Sequence, residues 1–162
     1  MGNTAEFFIG REKVLHHWYY FLNLENSLAI IFSYIEPTDN NLLTYSIETN
    51  KLLMLASMEF ENVSKEICRF KEGNPDVELN NIRDVRSKLL HHYPKIYTSE
   101  VSLLRGNMIL RPLDEWSCVK SFLSWPSYTN SKHSRYENFS DATLLHAIEA
   151  LGALLIVNLY YN

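Results

Sequence analysis

The chain reads as an all-α antiparallel helical bundle with a short irregular or β-hairpin insert before its last helices. Apolar residues recur at three- and four-residue spacing through two long runs. Breakers containing Pro or Gly fall where that spacing stops. A third observation is the closing stretch 142–161, apolar on both faces and therefore central to the bundle or at an oligomer interface.

In residues 13–35 the stripe is Leu15, Trp18, Tyr19, Leu22, Leu28, Ile31, Phe32 and Ile35, and Glu36-Pro37 ends it, because a proline disfavours helix in the residue before it. Residues 44–70 carry Ile47, Leu52, Leu55, Ala56, Phe60, Val63 and Ile67 on one face. Joined by the short polar turn 38–41, these two helices should pack antiparallel. Gly73-Asn74-Pro75-Asp76 breaks the chain, and a shorter helix follows over about 80–92. Residues 95–113 lose the helical period, and two short extended segments about Gly106-Asn107 suggest a small hairpin. Residues 116–125 look helical, and Trp125-Pro126 reopens the chain into 127–135. Ser140-Asp141 offers capping chemistry for the last helix, where Gly152 permits close approach. No repeat or linker divides the chain, so residues 1–162 are read as one domain.

Composition bounds the function. With 162 residues, 46% hydrophobic and 21% charged, the chain can build a core of ordinary globular type. Its formal net charge of −4 carries no global basic excess, so any nucleic-acid site must be a local patch. Two cysteines, Cys68 and Cys118, lie in amphipathic stretches and are expected as buried free thiols, not as a disulfide or a zinc site. The first residues lack the pattern of a signal peptide, and Glu6 stands where a myristoylation motif wants Ser or Thr. His146, Glu149 and Asn158 argue against placing 142–161 in lipid. A cytoplasmic protein with no membrane partner is expected.

Several candidate motifs have bland explanations. Arg86…His91 fits a solvated helix face, and His91-His92 is adjacent, so the pair cannot face one metal from a helix. His16-His17 fits a first helical turn with one imidazole in solvent and one in the interface. Glu59 and Glu61, two apart, point to different faces and cannot form a carboxylate dyad. Neither a metal site nor a cofactor is expected. The dense polar cluster is 128–135, where Lys132, His133 and Arg135 fall among hydrogen-bonding side chains; these residue types suit a phosphate group, and histidine titrates near neutral pH.

The pattern Trp125-x-x-Tyr128-x-x-x-Lys132-His133-x-Arg135, followed by Glu137-Asn138-Phe139 and the 142–161 helix, resembles a group of bacterial HEPN-like proteins. The resemblance extends upstream to Tyr45-Ser46-Ile47-Glu48 and to the stretch from Ala56 to Lys65, covering roughly two-thirds of the chain. It implies an antiparallel helical bundle, often dimeric, with many members acting as metal-independent RNases in toxin–antitoxin or phage-defence systems. Their site looks like Arg-Asn/Asp-x3-His, shared across the dimer. Here the histidine position is His133, the polar position is Thr129, and the arginine position holds Tyr128, which cannot supply the guanidinium fork. Arg135 points away from His133, and Lys132 about 100° away.

The expected function is thus a non-catalytic RNA- or nucleotide-binding or protein-interaction module, forming a homodimer, with an antitoxin or another protein as possible partner. The alternative is a metal-independent endoribonuclease, with His133 as general acid/base and Lys132 and Arg135 stabilising phosphate charge. In either case Tyr128, Thr129 and Asn130 would position substrate.

Overall fold

The computed structural model describes residues 4–118 and 125–162. Among these residues the chain forms α1 (Thr4–Ile31), α2 (Ile47–Glu72), α3 (Ile82–His92), α4 (Trp125–Ser134) and α5 (Leu144–Tyr161), with short 3-10 turns between them. Strands β1 (Val101–Leu103) and β2 (Met108–Leu110) pair antiparallel as a hairpin, with Ser102 opposite Ile109. The architecture is the all-α bundle with a small hairpin insert.

The helix ends follow local chemistry. Ser46 and Thr49 form a reciprocal capping box at the start of α2. Its end is Gly73, at φ +62°, whose N–H returns to the Arg69 and Phe70 carbonyls. Asn81 caps α3 through the Arg83 and Asp84 amides, and Thr143 caps α5 through the His146 amide.

One backbone tie orients the bundle. The Leu144 amide donates to the Thr44 carbonyl at 2.8 Å and the Leu145 amide to the Leu42 carbonyl at 3.0 Å. Tyr45 and Thr143 also form an isolated antiparallel bridge. The first amides of α5, which have no partner inside the helix, are satisfied by the strap leading into α2. Both helices therefore start at the same end of the molecule and run parallel, side by side. Helix α1 runs the other way along α2, with Lys13 at Glu66 and His17 at Glu59.

Helix α5 is the core element. Leu144, Ala147, Ala150, Ala153, Leu154 and Val157 are fully buried, against Leu53, Phe60, Val63 and Ile67 from α2 and Phe21, Leu24 and Leu28 from α1 in one cluster. A side chain at Gly152 would stand 3.0 Å from Pro112 Cγ, so glycine lets the segment after the hairpin lie close against α5. Leu144–Tyr161 is long and apolar enough to cross a membrane, yet 67% of it is buried inside this bundle. Its apolar character on both faces is accounted for by packing on all sides.

The hairpin is clasped to the α1–α2 connection. The Arg105 guanidinium grips Glu36 with Nε at 3.1 Å and Nη2 at 2.8 Å, and this bond lowers the Glu36 carboxyl below its ordinary range. At the turn, Gly106 has φ +90° and its missing Cβ would lie 2.5 Å from the Pro37 carbonyl oxygen.

Several sequence expectations are corrected. Helix α1 starts nine residues before residue 13 and ends at Ile31, where hydrogen bonds to the Ile30 and Ile31 carbonyls turn the chain before Pro37. Trp125-Pro126 does not reopen the chain: among the described residues both belong to α4. Of the helix expected over 116–125, the 3-10 turn Asp114–Cys118 is described and residues 119–124 lie outside the described residues. The cap of α5 is Thr143, with Asp141 ending the preceding 3-10 turn. Cys118 is exposed; only Cys68 is buried, its thiol pushed up to about 11 by burial and, less strongly, by Glu72.

Two stability measurements follow. Burial in α5 pushes the Glu149 carboxyl from 4.5 up to about 7, and its Oε2 has no hydrogen-bond partner. A carboxyl raised in the folded state favours folding while protonated, so this contribution is complete below pH 4.5 and is lost as pH rises through about 7. At about 1.4 kcal/mol per unit, it amounts to about 3 kcal/mol at most. Glu149→Gln should therefore gain Tm relative to the native chain between pH 5 and pH 8; an equal gap at both would remove Glu149 as its source. Separately, Gly106→Ala should cost about 2 kcal/mol or more in denaturant unfolding. Gly73→Ala, with positive φ but nothing within 4 Å of a new Cβ, should cost about 1 kcal/mol.

Candidate functional site

Helix α4 lacks an apolar stripe and docks through polar side chains. Ser127, Tyr128 and Ser131 are its buried residues. The Asn50 amide of α2 donates to Ser131 Oγ at 3.3 Å, and Ser127 Oγ lies 2.7 Å from His146 Nδ1 of α5. The Trp125 ring lies edge-on to Phe60 at 6.4 Å and tilted against Tyr128 at 4.8 Å. These contacts fix which way the helix faces.

The six residues singled out from the sequence are thereby divided. Tyr128 is buried, and burial, then the nearby Glu61 carboxylate, push its phenol up. Thr129 donates its hydroxyl to the Trp125 carbonyl of its own helix at 3.0 Å. Lys132 is exposed, with its ammonium 5.8 Å from the Tyr128 ring centre. Asn130, His133 and Arg135 are exposed. Tyr128 and His133, five residues apart on one helix, project about 140° from each other. Within one chain, the arginine and histidine positions of the resemblance are thus not brought together. Lys132, His133 and Arg135 have no acidic partner among the described residues, and Tyr136 beside them is 97% exposed.

The Ser127–His146 pair is structural. The Asp141 carbonyl, which can only accept, also lies 2.7 Å from His146 Nδ1. That nitrogen therefore carries a proton and cannot take one from the serine, as a nucleophile–base pair would require.

A second cluster lies between α1 and α2. His17 Nδ1 meets Glu59 Oε1 at 2.5 Å across 42 residues of sequence, with side chains 14% and 8% exposed. Asn62 Nδ2 reaches the other Glu59 oxygen at 3.4 Å, and the Tyr161 ring of α5 lies edge-on to the imidazole at 5.9 Å. Burial, then Glu59, push the Tyr20 phenol up. With Nδ1–H donated to the carboxylate, Nε2 is the acceptor of the neutral ring. His17 lines a surface cavity of about 490 Å³ whose charged lining residues are Glu12, Lys13, Lys65, Glu66 and Arg69.

The sequence placed His16-His17 in a first helical turn with one ring in solvent. His16 is indeed exposed and His17 sits in the interface, but both lie in the middle of α1. Glu59 and Glu61 do face apart: Glu59 meets α1, and Glu61 accepts from Lys65 at 2.7 Å. What sequence reasoning missed is the pairing of His17 with Glu59. The only signal was one polar residue on the inward stripe of each long helix, at positions that an antiparallel register brings level.

Among the described residues, no group of three His, Cys, Asp or Glu side chains is placed to hold a metal ion. Compared with protein-family models, curated proteins and solved structures, the chain matches none.

Proposed function

We propose that the chain is a non-catalytic RNA-binding module of HEPN-like type, engaging single-stranded RNA at the outward face and end of α4. The observation that carries this reading is the exposed run Lys132, His133 and Arg135, without acidic partners among the described residues, beside the almost fully exposed Tyr136. Cations neutralise phosphates, and an exposed aromatic ring offers a stacking face to any base. Glu137, the nearest acid in sequence, accepts a hydrogen bond from Ser134 at 2.9 Å. Phe139 and Tyr45, edge-on at 5.7 Å, extend the aromatic character.

Binding is favoured over cleavage because of where the other residues go. Tyr128 and Thr129 are committed to the protein's own packing and backbone. The position that the resemblance gives to the arginine fork holds Tyr128, which is buried away from the exposed His133. A second copy is the partner suited to the outer face of α1, where Leu15, Tyr19, Leu22 and Ile30 are exposed on the side opposite Phe21, Leu24 and Leu28. A toxin–antitoxin or phage-defence setting belongs to the same proposal and rests on the resemblance alone.

The test is fluorescence anisotropy with a labelled single-stranded RNA across a salt series. The native protein should bind, and Lys132→Glu with Arg135→Glu should lower the salt slope by about 1 to 2, at about 0.7 per phosphate neutralised. Tyr136→Ala should cost about 1–3 kcal/mol of binding. The RNA should remain intact in chelator; cleavage that disappears in His133→Ala would replace this reading with the metal-independent endoribonuclease.

A further inference from the structure

A cavity of about 170 Å³ lies between α1, the hairpin and α5. We propose that it binds a small uncharged apolar molecule, about the size of one aromatic ring. None of its lining residues belongs to α4, so binding here is independent of the RNA-binding reading. The walls include Phe21 and Leu28 of α1, Leu103 and Leu110 of the hairpin, and Ile148 and Leu151 of α5. Phe21, Leu28, Leu110, Ile148 and Leu151 keep 3% to 8% of their surface accessible, whereas Leu53, Phe60 and Val63 of α2 keep 0%. The core is thus closed towards α2 and open to a small molecule on the hairpin side.

The lining sets the chemistry of that molecule. Protein interiors are close-packed, and gaps wider than a water molecule are few. Water in a cavity needs about two to four polar partners, which these apolar side chains do not offer. An apolar guest instead gains dispersion contacts from every wall. A dry cavity of about 150 Å³ is enough to hold benzene. Glu25, Ala29 and Ser102 are the exposed lining residues and mark the mouth. Glu25 is the one charged residue among those lining the cavity; its carboxylate disfavours an anion, and the apolar walls disfavour any ion. The hairpin wall can yield to admit a guest. Two strands of three residues are marginal by themselves. This pair is fastened at the surface by Arg105, which holds Glu36 and lies 5.9 Å from the ring centre of Phe32, itself a lining residue.

The experiment is NMR of the side-chain methyl groups while the native protein is titrated with toluene and, separately, with benzoate. Toluene should saturate at one per chain and move the methyl resonances of Leu110, Ile148 and Leu151, leaving those of Leu53 and Val63 in place. Benzoate should bind at least about tenfold more weakly, since its carboxylate must be desolvated or held beside Glu25. Leu155→Trp, at a half-buried lining position, should weaken toluene binding about tenfold or more by filling the space with its own ring. Ala29→Trp, at the exposed mouth, should do the same and keeps the test open should Leu155→Trp fail to fold. Lys132→Glu, on the α4 surface, should leave toluene binding unchanged. No saturable binding of toluene, or binding indifferent to the substitutions at Ala29 and Leu155, would overturn the site. Equal affinity for benzoate would overturn the assignment to an uncharged ligand.

Discussion

The arrangement of this bundle depends on the place where two helices begin. The carbonyls of Leu42 and Thr44 take up the first amides of α5, and those residues lead directly into the capping box of α2. Amides at a helix start must find partners when they are withdrawn from water. Meeting that need with the strap before another helix places the two starts together, so α2 and α5 run parallel although they are far apart in sequence. The register then decides the rest: α1 returns along α2, so that His17 meets Glu59, and α4 fits beside the shared end, so that Ser127 meets His146 and Ser131 meets Asn50.

The fold was legible where a single physical rule dominates. The stripes of α1 and α2 appear in the sequence because burial selects apolar residues every three or four positions, and the buried sets Phe21, Leu24, Leu28 and Leu52, Ala56, Phe60, Val63, Ile67 obey it. The hairpin about Gly106-Asn107 was legible because both residues have positive φ, at 90° and 50°. Helix α4 was not. Proline was read as a break, whereas Pro126 lies within the helix, and the inward face of that helix is Ser127, Tyr128 and Ser131, with no hydrophobic period to detect.

The same feature explains why the candidate sites were only half legible. The sequence shows that Lys132, His133 and Arg135 are close along the chain, but their common exposure is decided by hydrogen bonds from Asn50 and His146, which lie 81 and 19 residues from their partners. Tyr128 and His133 looked like a degenerate pair at a fixed spacing. Helical geometry turns one inward and the other out, a conclusion that needs the docked face as well as the spacing. His17 and Glu59 looked unremarkable one helix at a time, and their meaning appears only when the antiparallel register sets them opposite each other.

The directional character of these polar contacts has a structural consequence. An apolar helix face tolerates rotation and sliding, because burial is proportional to area and has no preferred direction. A hydroxyl bonded to one imidazole and another bonded to one amide permit much less, since a hydrogen bond weakens steeply as its geometry departs from linear. Helix α4 is thus fixed about its axis by Ser127 and Ser131, with the ring of Tyr128 packed between them and Trp125. The outward residues are fixed with it: Lys132 over the Tyr128 ring, and His133 on the side opposite the docked face. In α1 and α2 the same device works across a larger apolar interface, where one carboxylate sets the rotation of one imidazole. In both places a buried polar contact costs more to desolvate than an apolar one, and what it provides in exchange is the defined orientation of the side chains it joins.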